Sequence, residues 1–234
     1  MDLSNTFAFV AGASGDIGRA AAFDLLDAGA EVVMLGRSMP KLVAAPPLET
    51  LRHKCHYIAE DLTVDGAAER IAAEISPRRR LDVLVLSLGL YERSFDPAVF
   101  NRQMAANVIG PYALLRQLLP LLVEAKGQIV FINSTQAIRA SAEVGQYAAT
   151  KHALKAIADS LRDEVNSDGV RVMSVFVGRT ASERQRGIFA AEGRAYQPDR
   201  LIQLADIARL VRLLLQLPRT SEVTDVVMRP MLKT

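Results

Sequence analysis

Short apolar runs rich in β-branched residues alternate along the chain with longer stretches whose apolar residues recur at helical spacing. The predicted strands are Thr6–Ala11, Glu31–Gly36, Lys54–Ala59, Leu81–Leu86, Gln128–Asn133, Arg171–Val177 and Thr224–Met228. The predicted helices are Asp16–Ala28, Ser38–Ala45, Val64–Ile75, Ala98–Val123, Gly145–Asn166 and Asp206–Gln216. Strands that are apolar on both faces are typical of a parallel sheet covered by helices. The alternation therefore predicts an α/β fold with a doubly wound parallel sheet of about seven strands and helices on both faces.

The segment Arg179–Arg200 interrupts this alternation. It is rich in arginine, contains two glycines and a proline, and shows no strong strand pattern. Irregular segments of this kind often carry binding residues, so we interpret it as a substrate or lid loop at about residues 179–200. Arg179, Arg184 and Arg186 within it could favour an anionic substrate or could simply be solvated. No other boundary is evident, and we expect residues 1–234 to form a single domain.

Charge and cysteine content exclude several classes of protein. The 28 Lys and Arg residues nearly balance the 26 Asp and Glu residues, which argues against a dedicated binder of nucleic acid or of an anionic membrane. The single cysteine, Cys55, excludes an intrachain disulfide, and we predict no metal site and a reducing, cytoplasmic compartment. The longest uncharged run, Gln103–Leu115, is shorter than the about 20 apolar residues of a spanning helix, so we expect no membrane span.

A glycine-rich turn joins the first predicted strand to the first helix. Glycines there permit a tight turn and a close approach of the backbone to a pyrophosphate, and the free N–H groups of the helix start favour an anion. In the first strand–helix unit this turn is typical of the dinucleotide site of a Rossmann fold, although a tight turn without a ligand is the alternative. The predicted contacts are Gly12, Ser14, Gly15, Asp16, Ile17 and Gly18. The Asp16 carboxylate would repel a phosphate unless its side chain points away.

The end of the second strand bears on the choice of nicotinamide cofactor. In a Rossmann fold this position meets the adenosine ribose, where an acidic residue accepts from the free 2′-hydroxyl of NAD(H). Here Gly36 is followed by Arg37, whose guanidinium can hold a 2′-phosphate. We therefore predict NADP(H) in preference to NAD(H). The alternative is a solvated arginine at a helix start.

Tyr147 and Lys151 lie four residues apart in the long predicted helix, and Ser134 stands thirteen residues before the tyrosine. With these residues the chain resembles the short-chain dehydrogenase/reductase family, in its short single-domain branch. The resemblance covers nearly the whole chain. Its further elements, in chain order, are the glycine turn, Asp61, Asn107, Gly178 and Thr180.

The resemblance implies a role for each catalytic position. Tyr147 would be the general acid in reduction and the base in oxidation, with its pKa lowered by the neighbouring ammonium of Lys151. Lys151 would also hold the nicotinamide ribose. Ser134 would donate a hydrogen bond to the substrate oxygen, and Asn107 would position a water in a proton relay behind Lys151. The alternative is that Asn107 is an ordinary polar residue of the helix and has no such role.

The resemblance also implies cofactor contacts after the later strands. Asp61 would contact the adenine, with Leu62 beside it, unless Asp61 caps a helix. Gly89 would lie near the ribose. Gly178 and Thr180 would contact the nicotinamide side.

Three features depart from the family pattern. The glycine spacing Gly12-x-x-Gly15-x-x-Gly18 is more like that of the family's longer branch. Ser87 and Leu88 stand where the family has Asn-Ala before the glycine, and Val177 stands where it has proline. The departures concern cofactor geometry and leave the four catalytic positions intact.

These residues predict a cytoplasmic NADP(H)-dependent oxidoreductase that interconverts a carbonyl and a secondary alcohol of a small molecule. One alternative is a nucleotide-binding regulator that does no chemistry, although it would gain nothing from Ser134, Tyr147 and Lys151. Another is an epimerase or dehydratase, which would leave NADPH unconsumed. The long apolar helix faces at 98–123 and 145–166 favour a homodimer or homotetramer, as in the family.

Overall fold

Hydrogen bonds join seven strands into one parallel sheet in the computed structural model, which describes residues 2–43 and 49–232. The sheet order is β3-β2-β1-β4-β5-β6-β7. The strands are β1 Phe7–Ala11, β2 Glu31–Gly36, β3 Cys55–Ala59, β4 Val83–Leu86, β5 Gln128–Ser134, β6 Arg171–Val177 and β7 Asp225–Met228. The order reverses between β1 and β4, which creates a crevice at the carboxyl ends of the strands. The predicted doubly wound Rossmann fold is confirmed.

Helices cover both faces of the sheet. They are α1 Asp16–Asp27, α2 Met39–Val43, α3 Ala67–Ile75, α4 Pro97–Met104, α5 Gly110–Glu124, α6 Gly145–Val165, α7 Glu183–Ala191 and α8 Leu204–Gln216. Side chains alternate along each strand, so Phe9 of β1 packs with α3, α5 and α6, whereas Val10 packs with α1 and α8 on the opposite face. The two apolar layers hold the strand ends, and hence the crevice, in fixed positions.

Two helix boundaries differ from the predicted ones. The helix predicted over Val64–Ile75 begins at Ala67, because Gly66 adopts a left-handed conformation with φ of 75° that ends the preceding turn. The helix predicted over Ser38–Ala45 is observed from Met39 to Val43, and residues 44–45 lie outside the described residues.

The segment at 179–200 contains helix α7 in place of the irregular loop that its composition suggested. The Ser182 side chain accepts a hydrogen bond from the N–H of Gln185 and so caps the helix start. Phe189 is buried on one side of the helix and anchors it. A single apolar anchor gives almost no periodic pattern, and the sequence therefore showed no helix here.

The stretch Pro97–Glu124, predicted as one helix over Ala98–Val123, is continuous but contains a π-helical turn at Ala105–Ile109. By length and composition it is apolar enough to cross a membrane. Its residues Leu114, Leu118 and Leu122 are fully buried against the sheet. A core helix meets the same criteria, so this segment is weak evidence for a span.

Candidate active site

The glycine turn between β1 and α1 is packed too tightly for side chains. Gly12 has φ of +87°, and a Cβ atom there would lie 2.6 Å from the carbonyl oxygen of Ser87. A Cβ atom at Gly18 would clash with the carbonyl oxygen of Gly12. The two glycines therefore allow the turn to lie against both the end of β4 and the first turn of α1.

This turn presents backbone N–H donors to an anion. Helix α1 begins at Asp16 after Gly15, and no side chain caps it. The first N–H groups of a helix have no partner within the helix, and the helix dipole favours negative charge there. Ser14 and Ile17 line the same cleft. The bare, glycine-lined backbone fits the pyrophosphate of a dinucleotide.

Two partners hold the Asp16 carboxylate. One of its oxygens pairs with Arg19 at 3.0 Å. The other accepts a hydrogen bond of 2.9 Å from the backbone N–H of Glu183, at the start of α7. Asp16 therefore fastens the start of α7 to the first turn of α1.

A cleft of about 420 Å³ opens at the carboxyl end of the sheet. It brings together residues from the glycine turn, the end of β5, helix α6 and the segment after β6. The predicted site residues that line it are Ser14, Gly15, Asp16, Ile17, Gly18, Ser134, Tyr147, Lys151, Gly178 and Thr180.

Tyr147 and Ser134 meet inside this cleft. Tyr147 is buried in the first turns of α6, Ser134 ends β5, and both residues line the cleft. The ring of Tyr91 packs edge-on against Tyr147, with 5.0 Å between ring centroids. Burial raises the pKa of Tyr147, whereas the charge of Arg184 and the hydrogen bond from Ser134 oppose the rise. A neutral phenol in this environment is suited to donate its proton.

Lys151 lies one helical turn beyond Tyr147, and its Nζ is 5.8 Å from the Tyr147 ring centroid. The side chain is buried, and Nζ donates to the carbonyl oxygen of Leu88 at 3.2 Å. Burial lowers the pKa of Lys151 to about 7, with the charge of Arg184 adding to the effect. The expectation that Lys151 lowers the pKa of Tyr147 is corrected here: burial raises that pKa, and the cation that opposes the rise is Arg184.

Asn107 lies in the π-helical turn between α4 and α5 and is fully buried. Its side chain accepts from the N–H of Leu90 at 2.5 Å and donates to the carbonyl of Leu90 at 2.9 Å. It also donates to the hydroxyl of Thr150, the residue before Lys151. Asn107 thus joins the loop after β4 to helix α6 behind the catalytic face.

Comparison with known proteins identifies the family. The family model for short chain dehydrogenases matches residues 6–193. The chain belongs to the short-chain dehydrogenase family. Among its relatives, the bovine "Dehydrogenase/reductase SDR family member 7B" is 31% identical over 207 residues, which are 82% of this chain and 63% of the bovine protein. The chain thus spans less than two thirds of that relative's length.

Solved structures of other short-chain dehydrogenases have the same fold. A short chain dehydrogenase from Salmonella enterica serovar Typhi superposes with a TM-score of 0.86 at 28% identity, over 97% of each chain. A metagenomic short-chain oxidoreductase in complex with NADP superposes with a TM-score of 0.82 at 30% identity, over 99% of this chain and all of the other.

Several predicted cofactor contacts of this short-chain dehydrogenase lie outside the lining of the cleft. Arg37 is exposed directly after β2, and Asp61 and Leu62 follow β3. Asp61 accepts from the N–H and hydroxyl of Thr63, and the N-cap of α3 is Gly66, so Asp61 does not cap that helix. Arg37 follows the strand next to β1, and Asp61 and Leu62 follow β3, one strand further along the same carboxyl edge of the sheet.

The remaining predicted contacts border the catalytic end of the cleft. Gly178 donates its N–H to the carbonyl of Met228 at 2.9 Å, and the Thr180 hydroxyl donates to the carbonyl of Gly178. Gly89 follows β4, with the Lys151 ammonium next to it. Leu88 is one of the residues that depart from the family pattern. Its backbone carbonyl oxygen accepts the hydrogen bond from Lys151.

Glu192 is a residue of the cleft that sequence reasoning missed. It receives a bidentate contact of 3.0 Å from Arg179 and further hydrogen bonds from Arg93 and Arg194. Burial by itself would raise the pKa of Glu192, but these hydrogen bonds lower it to about 2. The cluster ties α7 to the loop after β4. Arg93 lies 99 residues before Glu192, so no local pattern indicates the whole cluster.

The depressed pKa of Lys151 predicts a pH-dependent cost to stability. Below about pH 7 the buried ammonium is charged in both folded and unfolded chains, and its full penalty is present. As the pH rises from 7 toward the ordinary value of 10.5, the folded chain loses the proton first and the penalty declines. The variant Lys151→Met lacks this penalty. At each pH the quantity of interest is the unfolding free energy of the variant minus that of the wild type. This difference should be on the order of 3 kcal/mol smaller at pH 9.5 than at pH 6.

Urea unfolding of both proteins at the two pH values measures this difference. Loss of the hydrogen bond to Leu88 affects the variant at both pH values and so leaves the difference between them intact. A gain independent of pH would show that Lys151 keeps an ordinary pKa in the folded protein. Lys155→Met serves as the control, because Lys155 lies one turn further along α6 and pairs with Asp159.

Proposed function

We propose that this protein is an NADP(H)-dependent oxidoreductase that transfers a hydride between the nicotinamide and a carbonyl or secondary alcohol of a small molecule. The observation that carries the proposal is that Tyr147, Ser134 and buried Lys151 lie together in the cleft that also holds the glycine turn. The NADP complex of the metagenomic relative supports the choice of cofactor.

Tyr147 and Ser134 handle the substrate oxygen in this proposal. The phenol of Tyr147 donates a proton to the oxygen as negative charge develops on it and, in the reverse direction, the phenolate takes the proton back. Ser134 donates a hydrogen bond to the same oxygen and stabilises that charge. The bound nicotinamide supplies or accepts the hydride.

Lys151 and Asn107 act behind the tyrosine. An ammonium with a pKa of about 7 can exchange a proton near neutral pH, so Lys151 can pass a proton toward the phenolate. It would also hold the ribose hydroxyls of the cofactor. Asn107 fixes the loop that carries the Leu88 acceptor and contacts α6 through Thr150, which keeps Lys151 in place.

The cofactor would be held along the carboxyl edge of β1, β2 and β3 and at the end of β6. The glycine turn would bind the pyrophosphate, and Arg37 the 2′-phosphate. The remaining proposed contacts are Asp61, Leu62, Gly89, Gly178 and Thr180.

The single-domain organisation, the cytoplasmic location and the homodimer or homotetramer stay predictions. Size-exclusion chromatography with light scattering would test the oligomeric state.

Arg37→Ala is expected to weaken NADPH binding by roughly tenfold or more, because one charge-assisted contact to the 2′-phosphate is lost. NADH affinity should not change, since NADH lacks that phosphate. Titrations that follow the fluorescence of the reduced nicotinamide measure both affinities. Arg116→Ala is the matched control, because Arg116 is also exposed but lies on α5 next to Glu164. Equal affinity of the wild type for NADPH and NADH would contradict the role of Arg37, and no binding of either would contradict the proposed function.

A further inference from the structure

Arg184 is an exposed residue of α7 that extends into the catalytic end of the cleft. Its guanidinium donates to the carbonyl oxygen of Gly89 at 2.5 Å. The helix that carries it is fastened by the Asp16 carboxylate at its first N–H and by Arg179 and Arg93 at Glu192 near its end. Arg184 is thus presented by a helix secured at both ends.

Two cations face one point beside the reacting groups. Arg184 Nη1 and Lys151 Nζ each lie 3.5 Å from the position that a Cβ atom would take at Gly89, and so lie within twice that distance of each other. The charge of Arg184 also acts on the pKa of both Lys151 and Tyr147. Like charges this close repel each other, and an anion beside them would relieve the repulsion.

The carboxylates that line the cleft are engaged elsewhere. Asp16 pairs with Arg19, and Glu183 with Arg186 at 3.3 Å. Glu192 is held by Arg93, Arg179 and Arg194. In residues 2–43 and 49–232 no carboxylate lies within ion-pair distance of Arg184. Its positive charge is therefore available to a ligand.

We propose that Arg184 binds a carboxylate of the substrate, so that the preferred substrates are keto acids and the corresponding hydroxy acids. The inference rests on the proposed function, since it places the acid next to a carbonyl that Tyr147 protonates. A guanidinium presents two parallel N–H donors that match the two oxygens of a carboxylate. With its carboxylate on Arg184, a keto acid would have its carbonyl close to Tyr147 and Ser134.

The substrate is the better source of this anion than the cofactor. The donors suited to the pyrophosphate are the N–H groups at the start of α1, after Gly15. Arg184 lies instead at Gly89, beside Lys151 and Tyr147, where the uncharged ribose of the nicotinamide and the substrate would meet. Cofactor affinity is nevertheless measured as a separate arm of the test.

The test compares an acid with its neutral ester. Benzoylformate and methyl benzoylformate are titrated calorimetrically into the NADPH-saturated Tyr147→Phe protein, in which turnover is blocked. The acid should bind more tightly than the ester, and adding Arg184→Gln should reduce that preference roughly tenfold or more. Arg186→Gln is the matched control on the same helix, because Arg186 pairs with Glu183 and packs over the Tyr196 ring. It should leave the preference unchanged.

Each contrary result has a distinct meaning. Equal binding of acid and ester, or no binding of the acid, overturns the inference and leaves the proposed function standing. Weaker NADPH binding in Arg184→Gln with an unchanged acid preference assigns Arg184 to the cofactor and also overturns it. Absence of NADPH binding to the wild-type protein overturns the proposed function itself, and the inference with it.

Discussion

Tyr147→Phe is expected to reduce kcat for NADPH-dependent carbonyl reduction by about a thousandfold, within the range of general acid catalysis. The variant removes one oxygen from a buried residue and leaves the ring, and its edge-on contact with Tyr91, in place. NADPH affinity should therefore stay close to that of the wild type. Turnover is measured as loss of NADPH absorbance with a panel of aldehydes, ketones and keto acids.

Tyr112→Phe is the control for this substitution. Tyr112 lies on α5 and is 46% exposed, outside the lining of the cleft. It should retain the activity of the wild type. Unchanged turnover in Tyr147→Phe would remove the tyrosine from the mechanism, and the function proposed here would need a different proton donor.

Gly18→Ala is expected to abolish NADPH binding and to lower the free energy of unfolding by about 3 kcal/mol. The new Cβ atom would clash with the backbone of Gly12, and its distance to the N atom of Ala13 would be 3.1 Å. Backbone atoms cannot rotate away as a flexible side chain can, so α1 must move from the turn. That movement displaces the N–H groups that we assign to the pyrophosphate.

Gly187→Ala separates this effect from the general consequence of replacing a glycine. Gly187 lies inside α7, and a Cβ atom there would meet no other atom within 4 Å. Alanine should therefore stabilise the protein by about 0.5–1 kcal/mol through helix propensity. Urea unfolding and NADPH fluorescence measure both variants. If Gly18→Ala bound NADPH as tightly as the wild type does, the turn would have room for a side chain that the structure does not indicate.

The regular part of the fold was predictable because its signal is local. Strands such as β1 and β6 are apolar on both faces, and this pattern alone places them inside a parallel sheet. Helix α7 was not predictable, because its only buried residue is Phe189. The start of α3 was set too early, because the left-handed conformation of Gly66 is not visible in an apolar pattern.

For the site, the order of residues along the chain determined which groups meet. The glycine turn, Ser134, Tyr147 and Lys151 each follow or lie beside a strand end, and parallel strands bring those ends to one edge of the sheet. Sequence alone therefore determined the family, the sheet and the meeting of Ser134, Tyr147 and Lys151 with the glycine turn in the cleft.

Only the tertiary structure decided the electrostatics. The pKa of Lys151 depends on its burial and on Arg184, a residue of α7 far along the chain. The direction of the Asp16 side chain depends on the N–H of Glu183, and the charge on Glu192 on arginines from separate segments. Burial and distance set these interactions, and both arise only when the chain has folded.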